Sequence, residues 1–341
     1  CGALKLCALH FPKFLIDKYS ENIFVNNLKK DDYLNLTPQQ YYNKFNNGRI
    51  LIIAGSLKYS GAAILTIKAA TAAGAGIVYA LMPDCISNII KINCPEAIVI
   101  PLVSENGGLK FSEQNMNVIS EYIKKTDCVA IGPGCGADTD FVNLFNEFLK
   151  INSITAIIDA DAINSLSKLN KKPIDLKDNI FIFTPHLSEF ERLFDIKVNN
   201  TKTNFNKIDL AQTAKLTDNQ ILVLKGKYSV VHNKICGCYV NFTGNELLSI
   251  AGAGDTLTGF IAALTAKAIA TTNAPKKQTH NNNLSSSSSN DILLKNIFIA
   301  VRAAVYLHGA CADFAKQNNF FAITASEIIE IFFRQQNKLI T

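Results

Sequence analysis

The sequence predicts an α/β fold, a three-layer sandwich in which helices cover both faces of a mostly parallel central sheet. Strand-length apolar runs alternate with helical patterns roughly eight to nine times along the chain, which is typical of repeated β-α units. Several runs, such as residues 50–54, are continuously apolar and indicate strands buried on both faces. With 48% hydrophobic and 18% charged residues over 341 positions, the chain can bury a large core.

The first β-loop-α-β unit lies between residues 49 and 81. An apolar strand over 49–54 leads through the glycine-bounded loop 55–61 into a helix over 62–73 that is rich in small residues, and the chain returns as a strand over 77–81. The loop therefore lies at the carboxyl end of a strand, where open α/β sheets bind ligands. Its glycine spacing is not GxGxxG, so the dinucleotide-binding Rossmann fingerprint is not predicted.

Four later strands are predicted to end in loops that carry glycine or polar residues. They are 128–131 before the loop 132–136, 155–158 before 159–161, 180–183 before 184–189, and 221–224 before 225–229. Segments 230–232 and 237–241 are predicted to form a hairpin that returns over the last of these strands.

Several polar residues in these loops have two possible roles. Asp159 and Asp161 are either a capping pair for the next helix or ligands for a metal or substrate. Lys225 can hold a phosphate or be a solvated charge at the end of a strand. His186 can bond its own loop, but the flanking Thr-Pro and Glu189, which is expected to help start a helix over 190–194, favour a role in a site. His308 is predicted to be a packing or capping residue.

A small-residue loop over 251–259, AGAGDTLTG, leads directly into an apolar helical pattern that runs to about residue 270. Glycine and alanine let a backbone approach a ligand closely, and a helix N-terminus offers unpaired N–H groups to an anion. Asp255 is the only ionisable residue between Glu246 and Lys267. It is therefore either the N-cap of the helix or a catalytic base beside a bound phosphate.

Composition argues against several classes of protein. The formal net charge of +6 comes from scattered lysines without a dense basic run, so nucleic-acid binding is not predicted. The apolar runs are of strand length, and no transmembrane segment or membrane partner is predicted. Nine cysteines without CxxC pairs indicate reduced thiols in a cytoplasmic protein, and no residue is assigned as a metal ligand.

Changes in composition suggest the domain boundaries. Residues 1–47 carry no chemistry-bearing motif and are predicted to be a lead-in, and residues 48–335 form the predicted domain. Within it, residues 271–290 contain a serine run and several asparagines and are predicted to be a low-complexity, disordered loop insertion.

A series of short motifs lies between about residues 48 and 332. They are Gly55-Ser56 with Gly61-Ala62, Gly74-Ala75-Gly76, Pro95-Glu96, Gly132-Pro133-Gly134-Cys135-Gly136, Asp159-Ala160-Asp161, Thr184-Pro185-His186 with Glu189, Lys225-Gly226, Gly244-Asn245, Gly252 with Gly254-Asp255, and Leu307-His308-Gly309. Together they resemble the NAD(P)H-hydrate dehydratase family of the ribokinase-like superfamily. The Thr-Pro-His element with its Glu distinguishes this family from the sugar kinases that share the Gly-Asp loop.

The resemblance implies a ribokinase-like fold and a repair reaction. The S form of hydrated NADH or NADPH would be dehydrated by phosphorylation of its ring hydroxyl and elimination of phosphate, with Mg²⁺ and with ADP rather than ATP as the nucleotide. By motif, Asp255 is the catalytic base. The nucleotide-binding residues are Lys225, Gly226, Lys227, Tyr228, Ser229, Gly252, Ala253 and Gly254, and the substrate-binding residues are Ala62, Gly136, His186 and Asp255. The chain departs from the family at Ala251 and Ser188, where glycine is usual and an added Cβ restricts φ, and at Ala253, where threonine is usual.

The resemblance also implies a homo-oligomer, since similar bacterial proteins are often tetramers. The first residues are similar to the tail of an epimerase domain, which would make the chain part of a bifunctional enzyme. Two other functions fit the Gly-Asp loop. One is an ATP-dependent small-molecule kinase of the same fold that phosphorylates a hydroxymethyl or hydroxyethyl group on a heterocycle, and the other is a nucleotide-binding protein without turnover.

Overall fold

The computed structural model describes residues 23–25, 44–176, 179–198, 207–273 and 289–339. The strands are β1 Ile23–Val25, β2 Arg49–Ile53, β3 Ile77–Pro83, β4 Ile98–Leu102, β5 Ser104–Glu105, β6 Gly108–Leu109, β7 Cys128–Ile131, β8 Thr155–Ile158, β9 Ile180–Phe183, β10 Gln220–Leu224, β11 Val230–Asn233 and β12 Gly237–Val240. The helices are α1 Ser60–Ala72, α2 Ser87–Asn93, α3 Glu113–Ile123, α4 Thr139–Phe148, α5 Asp161–Lys168, α6 Leu187–Phe194, α7 Lys207–Thr213, α8 Ala253–Asn273, α9 Ser289–Gln317 and α10 Ala325–Leu339.

Ten strands form one sheet in the order β1-β12-β11-β10-β9-β8-β7-β2-β3-β4, and β5 pairs with β6 in a separate hairpin. Every described pairing in the large sheet is parallel except those of β11, which runs antiparallel to β10 and to β12. The predicted hairpin of β11 and β12 is therefore confirmed, as is the mostly parallel sheet.

Helices cover the sheet on both faces and bury two apolar clusters. Residues from α1, α2, α8, α9 and α10 pack on one face, and residues from α3 to α7 pack on the other. The continuously apolar strands are explained by this arrangement, since β2, β7 and β10 bury side chains toward both clusters. The three-layer α/β/α sandwich predicted from the sequence is confirmed.

Local capping explains where two of the helices on the second face begin. The Ser112 side chain accepts a hydrogen bond from the N–H of Asn115 at the start of α3, and the Asp138 side chain accepts one from the N–H of Phe141 at the start of α4. Each cap satisfies a backbone donor that the first turn of a helix leaves unpaired.

Regular secondary structure is found on both sides of two of the predicted boundaries. β1 pairs with β12, so the sheet includes a strand from the segment predicted to be a lead-in, because the free edge of β12 offers unpaired backbone groups to it. The predicted insertion over 271–290 is shorter at both ends, because α8 continues to Asn273 and α9 begins at Ser289. The remainder of that insertion lies outside the described residues.

The long helix α9 is apolar over most of its length. By length and composition, residues 290–317 could cross a membrane, but 78% of the most apolar window is buried inside the protein. Residues of α9 belong to the same apolar cluster as residues of α8 and α10, so α9 is a core helix of the sandwich.

Candidate active site

The carboxyl ends of β2 and β7 border the crevice at which the chain changes direction across the sheet. From β2 the chain proceeds to β3 and β4 on one side, and it later builds β7 to β10 on the other. The loops after β2 and β7 are joined by the N–H of Gly55, which donates to the carbonyl of Pro133 at 2.8 Å. Ligands bind at such switch points in open α/β sheets, so this edge holds the candidate site.

Two predicted substrate residues, Ala62 and Gly136, belong to these two loops or the helix that follows. A Cβ placed on Gly134 would lie 2.8 Å from the Cβ of Ala62, so the start of α1 and the loop after β7 are in contact. A Cβ placed on Gly136 would meet no atom within 4 Å. The backbone at Gly136 therefore faces open space in which a ligand can lie.

Asp159 and Asp161 point in different directions because the residue between them is strained. Ala160 has φ 48° and ψ −113°, a region that residues with a side chain rarely adopt. Asp159 is buried, whereas the Oδ2 of Asp161 accepts the N–H of Gly136 at 2.8 Å. Neither side chain caps α5, whose N-cap residue is Ala160. The capping interpretation is therefore wrong.

The carboxylate of Asp159 is held by three side chains from three parts of the fold. Its Oδ1 accepts from Lys225 Nζ at 2.8 Å and from Thr184 Oγ1 at 2.7 Å, and its Oδ2 accepts from Thr258 Oγ1 at 2.7 Å. Lys225 is only 17% exposed and also lies 3.9 Å from Glu189. Lys225 is thus a buried, paired cation, and its interpretation as a solvated charge is wrong.

Asp159 and Lys225 hold each other in the charged state. Burial alone would raise the pKa of Asp159, but the Lys225 charge and the three hydrogen bonds hold that pKa below its ordinary value. Burial alone would lower the pKa of Lys225, but the carboxylates of Asp159 and Glu189 outweigh burial and raise it. The site therefore contains a fixed positive charge, as expected of a phosphate-binding site.

Asp255 lies in the first turn of α8 and is not its N-cap, because the helix begins at Ala253. Burial, followed by the nearby charge of Asp159, raises the pKa of Asp255 to about 7. Gly254 places the helix start beside the lysine, since a Cβ on this glycine would lie 3.7 Å from Lys225 Nζ. A carboxylate with this pKa, next to a fixed cation, can accept a proton near neutral pH.

The N-terminus of α8 supplies further groups for an anion. Gly252 precedes the helix, and Ala253 and Gly254 are its first two residues. The N–H groups of Gly254 and Asp255 have no carbonyl one turn earlier in the helix to which they could donate. Together with Lys225 they form a positively polarised corner next to the Asp255 carboxylate.

His186 and Glu189 form a capping box at the start of α6. The N–H of Glu189 donates to His186 Nδ1 at 3.3 Å, and the N–H of His186 donates to Glu189 Oε2 at 2.8 Å. This confirms that Glu189 helps start a helix, although α6 begins three residues earlier than predicted, at Leu187. The His186 ring therefore bonds its own loop while its side chain stays 53% exposed. Burial and the charges of Lys225 and Arg192 lower its pKa.

The predicted nucleotide loop leads away from Lys225 toward a separate cavity. Its volume is about 400 Å³, and it is lined by Lys207, Ile208, Lys227, Tyr228, Val230, Val240 and Phe242. The rings of Tyr228 and Phe242 lie 4.9 Å apart. Lys207 Nζ donates to the carbonyls of Lys225 and Lys227 at 3.2 and 2.8 Å, and Ser229 Oγ donates to the carbonyl of Gly226 at 2.9 Å. These three hydrogen bonds to its carbonyl groups hold the loop in place.

The structure adds residues that sequence reasoning missed. Thr258 bonds Asp159, and it lies three residues after Asp255, a spacing that places both on one face of a helix and could have indicated it. Lys207, which braces the nucleotide loop, had no motif. His308 is buried, with Nε2 3.0 Å from Thr256 Oγ1, which confirms its predicted packing role.

The departures from the family motifs cause no backbone strain. Ala251, Ala253 and Ser188 are not among the residues with positive φ. Ala253 lies in helix α8 and Ser188 lies in helix α6. The backbone at all three positions is therefore one that residues with a Cβ adopt readily.

Comparison with known proteins identifies the family of the chain. A family model, Carb_kinase, described as NAD(P)H-hydrate dehydratase, matches residues 50–334. A bifunctional NAD(P)H-hydrate repair enzyme Nnr from Dictyoglomus turgidum is 33% identical over 241 residues, which cover 70% of this chain and 45% of that protein. The enzyme of the same name from Pyrobaculum aerophilum is 27% identical over 300 residues, covering 87% of this chain and 52% of that protein. The chain thus spans about half the length of these curated relatives.

Solved structures show the same fold. A hypothetical protein from Streptococcus mutans superimposes with a TM-score of 0.70 at 24% identity, covering 92% of this chain and all of that one. The ADP/ATP-dependent NAD(P)H-hydrate dehydratase from Bacillus subtilis, co-crystallised with ATP and Mg²⁺, gives a TM-score of 0.62 at 22% identity and covers 92% of this chain and 99% of that one. The family model covers most of the chain, which therefore belongs to the NAD(P)H-hydrate dehydratase family.

Proposed function

We propose that this chain dehydrates the S form of hydrated NADH and NADPH back to NADH and NADPH, with ADP as the phosphoryl donor. The observation that carries the proposal is the position of Asp255. Its carboxyl group has a pKa raised to about 7, and it lies at the start of α8 beside the buried ammonium group of Lys225. A proton acceptor next to a fixed cation is what phosphorylation of a hydroxyl group requires.

In the first step Asp255 removes the proton of the ring hydroxyl. The hydroxyl oxygen attacks the terminal phosphorus of the nucleotide, the bond from that phosphorus to the bridging oxygen breaks, and AMP leaves when ADP is the donor. Lys225 and the N–H groups of Gly254 and Asp255 stabilise the negative charge on the transferred phosphoryl group. Hydroxide is a poor leaving group, and this step converts it into a phosphate.

In the second step the carbon–oxygen bond breaks and inorganic phosphate leaves. The electron pair of the ring nitrogen assists its departure, and the neighbouring ring carbon then loses a proton to the departing phosphate, which restores the double bond of the dihydronicotinamide. The departing phosphate again faces Lys225, so one cation serves both steps.

The implied Mg²⁺ fits a site in which the nucleotide carries the metal. Among the residues that the structure describes, no group of three or more His, Cys, Asp or Glu side chains could hold a metal ion. Mg²⁺ commonly binds substrate phosphates with only one or two protein carboxylates, and Glu189, near Lys225, is the carboxylate we assign. When bound, the ion would neutralise charge on the phosphates.

The nucleotide would extend from Lys225 along the loop to Ser229. Its phosphates would lie at Lys225 and Gly254, and its base would enter the cavity beside Tyr228, where the aromatic rings offer a stacking surface. Hydrated NADH or NADPH would approach from the opposite side, along Ala62, Gly136 and His186. Asp255 would then lie between the two, where the reacting atoms must meet.

The test measures turnover of hydrated NADH in the presence of Mg²⁺ and either ADP or ATP. Regeneration of the dihydronicotinamide ring is monitored by its near-ultraviolet absorbance. A gain in absorbance with ADP that exceeds the gain with ATP supports the full proposal. A gain with ATP alone retains the dehydratase and reverses the nucleotide. No gain with either nucleotide contradicts the dehydratase, and phosphorylation of a hydroxymethyl or hydroxyethyl heterocycle would then identify a kinase.

The proposed cellular compartment and assembly of the enzyme rest on its cysteines and on its relatives. All seven cysteines in the described residues are free, which supports a reducing compartment, and we place the protein in the cytoplasm. We also propose that residues 48–335 act as one catalytic domain within a bifunctional protein. A homo-oligomer, with a tetramer as the form to test, stays a prediction that sedimentation equilibrium can check.

A further inference from the structure

Two cations outside the predicted site, Lys168 and Arg192, lie on the rim of the crevice near Gly136. Arg192 Nη2 donates to Asn164 Oδ1 at 3.0 Å, and Asn164 Nδ2 lies 3.5 Å from Asp161 Oδ1. Asp161 in turn accepts the N–H of Gly136 at 2.8 Å. Lys168 Nζ donates to the carbonyl of Ala137, the residue after Gly136. One continuous set of contacts thus connects both cations to the loop after β7.

Asn164 orients the guanidinium group of Arg192 but does not neutralise its charge. Both Arg192 and Lys168 are exposed, and within the described ranges neither of them forms an ion pair with a carboxylate. A guanidinium group has five N–H donors, of which the contact with Asn164 uses one. The remaining donors can bind the oxygens of a phosphate in pairs.

The charge inside the crevice explains why rim cations are needed. Three carboxyl groups, those of Asp159, Glu189 and Asp255, lie around the ammonium group of Lys225, and a fourth, that of Asp161, lies near Asp255. An anionic ligand that enters beside them is repelled unless further positive charge lies along its path. Lys168 and Arg192 supply that charge, and the open space above Gly136 lies next to the loop that Lys168 contacts.

We propose that Arg192, with Lys168 beside it, binds the diphosphate that joins the two nucleotides of hydrated NADH or NADPH. The inference rests on the proposed function, because it assigns a subsite to the substrate of that reaction. The diphosphate lies over the backbone of Gly136 between the two cations. The phosphates of the second nucleotide occupy a different place, at Lys225 and the start of α8.

The test measures the affinity for NADH, the product, by its fluorescence, for the wild type and for Arg192→Gln, Arg192→Lys and Lys168→Gln. We expect Arg192→Gln to weaken NADH binding about tenfold and to lower its dependence on salt, with Arg192→Lys in between because it keeps the charge but loses the paired donors. The affinity for ADP stays within twofold. In turnover, the KM for hydrated NADH rises about tenfold while kcat changes less than twofold.

Arg334→Gln is the matched control, because Arg334 is an exposed arginine on α10, on the other face of the sheet. An Arg192→Gln affinity for NADH within twofold of the wild type, or no NADH binding by the wild type, overturns the proposal. If NADH binding weakens as expected but hydrated NADH is not dehydrated with either nucleotide, the proposed function fails and the subsite stands.

Discussion

The ammonium nitrogen of Lys225 lies 2.8 Å from the buried carboxylate of Asp159. Asp159 follows β8 and Lys225 follows β10, so the pair bridges two strands that β9 separates. Thr184, at the end of β9, bonds the same carboxylate, and so does Thr258 of α8. Hydrogen bonds to this one carboxylate therefore connect the ends of three strands with α8, the helix that carries Asp255.

Removing the Asp159 carboxylate should destabilise the protein strongly. In Asp159→Ala the Lys225 charge stays buried without its closest partner, and such a loss costs about 3 kcal/mol or more of the free energy of unfolding. The control is Asp218→Ala, because Asp218 is 60% exposed and pairs with Lys234 at 3.4 Å, an interaction worth at most about 1 kcal/mol. Urea unfolding measures both, and equal losses would contradict the role assigned to Asp159.

Replacing Asp255 should abolish turnover and yet stabilise the fold at alkaline pH. The pKa of Asp255 is raised from 3.8 to about 7 in the folded protein. An acid whose pKa is raised on folding favours the folded state fully below its unfolded pKa, and this contribution is lost as pH rises through the folded pKa. Asp255→Asn should therefore exceed the wild type by up to about 4 kcal/mol in free energy of unfolding at pH about 8, with little difference near pH 4.

This pair of outcomes separates catalysis from structure. Replacing a residue that is needed only for folding would lower the stability of the protein, and the nucleotide affinity would fall with it. We expect nucleotide affinity to stay near the wild-type value while the absorbance gain with hydrated NADH disappears. Retained turnover in Asp255→Asn would remove Asp255 from the mechanism.

The pH dependence of turnover should report the same carboxyl group. A general base acts only when it is deprotonated, so kcat/KM should fall below a pH of about 7, the pKa to which burial and Asp159 raise Asp255. Burial and the charges of Lys225 and Arg192 lower the pKa of His186, which moves the titration of its ring away from pH 7. An activity that is constant from pH 5 to pH 8 would contradict Asp255 as the base.

The sequence was enough to predict the layers of the fold and the loops of the site. Both depend on local patterns, since apolar runs of strand length alternate with helical segments, and the glycine and polar loops follow the strands directly. Parallel strands then bring those loops to one edge. The proximity of Asp255, Lys225 and the loop after β8 follows from that geometry, without knowledge of any contact.

The remaining features depend on contacts between distant segments. The burial of Lys225 is decided by Asp159 and Glu189, which lie 66 and 36 positions earlier in the chain. The opposite directions of Asp159 and Asp161 come from the strained Ala160, and no local pattern predicts strain at an alanine. β1 joins the sheet through β12, more than 200 positions away, so its place in the fold depends on a pairing that no local pattern shows.

Helix packing next to the site gives a prediction in which two effects compete. Gly259 lies in α8 against α1, where an added Cβ would lie 2.6 Å from the Cβ of Ala69 and 2.9 Å from the backbone nitrogen of Ala70. Replacing glycine by alanine inside a helix normally stabilises it by about 1 kcal/mol, but overpacking a core costs about 1–3 kcal/mol. Because backbone of both helices must move, we expect overpacking to prevail and Gly259→Ala to destabilise the protein.

Gly61→Ala is the matched control, because Gly61 also lies in a helix, α1, and a Cβ on it would meet no atom within 4 Å. Here only the helix preference acts, so the free energy of unfolding should rise by about 0.5–1 kcal/mol. Denaturant unfolding of the two variants should therefore give shifts of opposite sign. Stabilisation by both would mean that α1 and α8 can separate easily, and the position of Asp255 relative to Ala62 would then not be fixed by their packing.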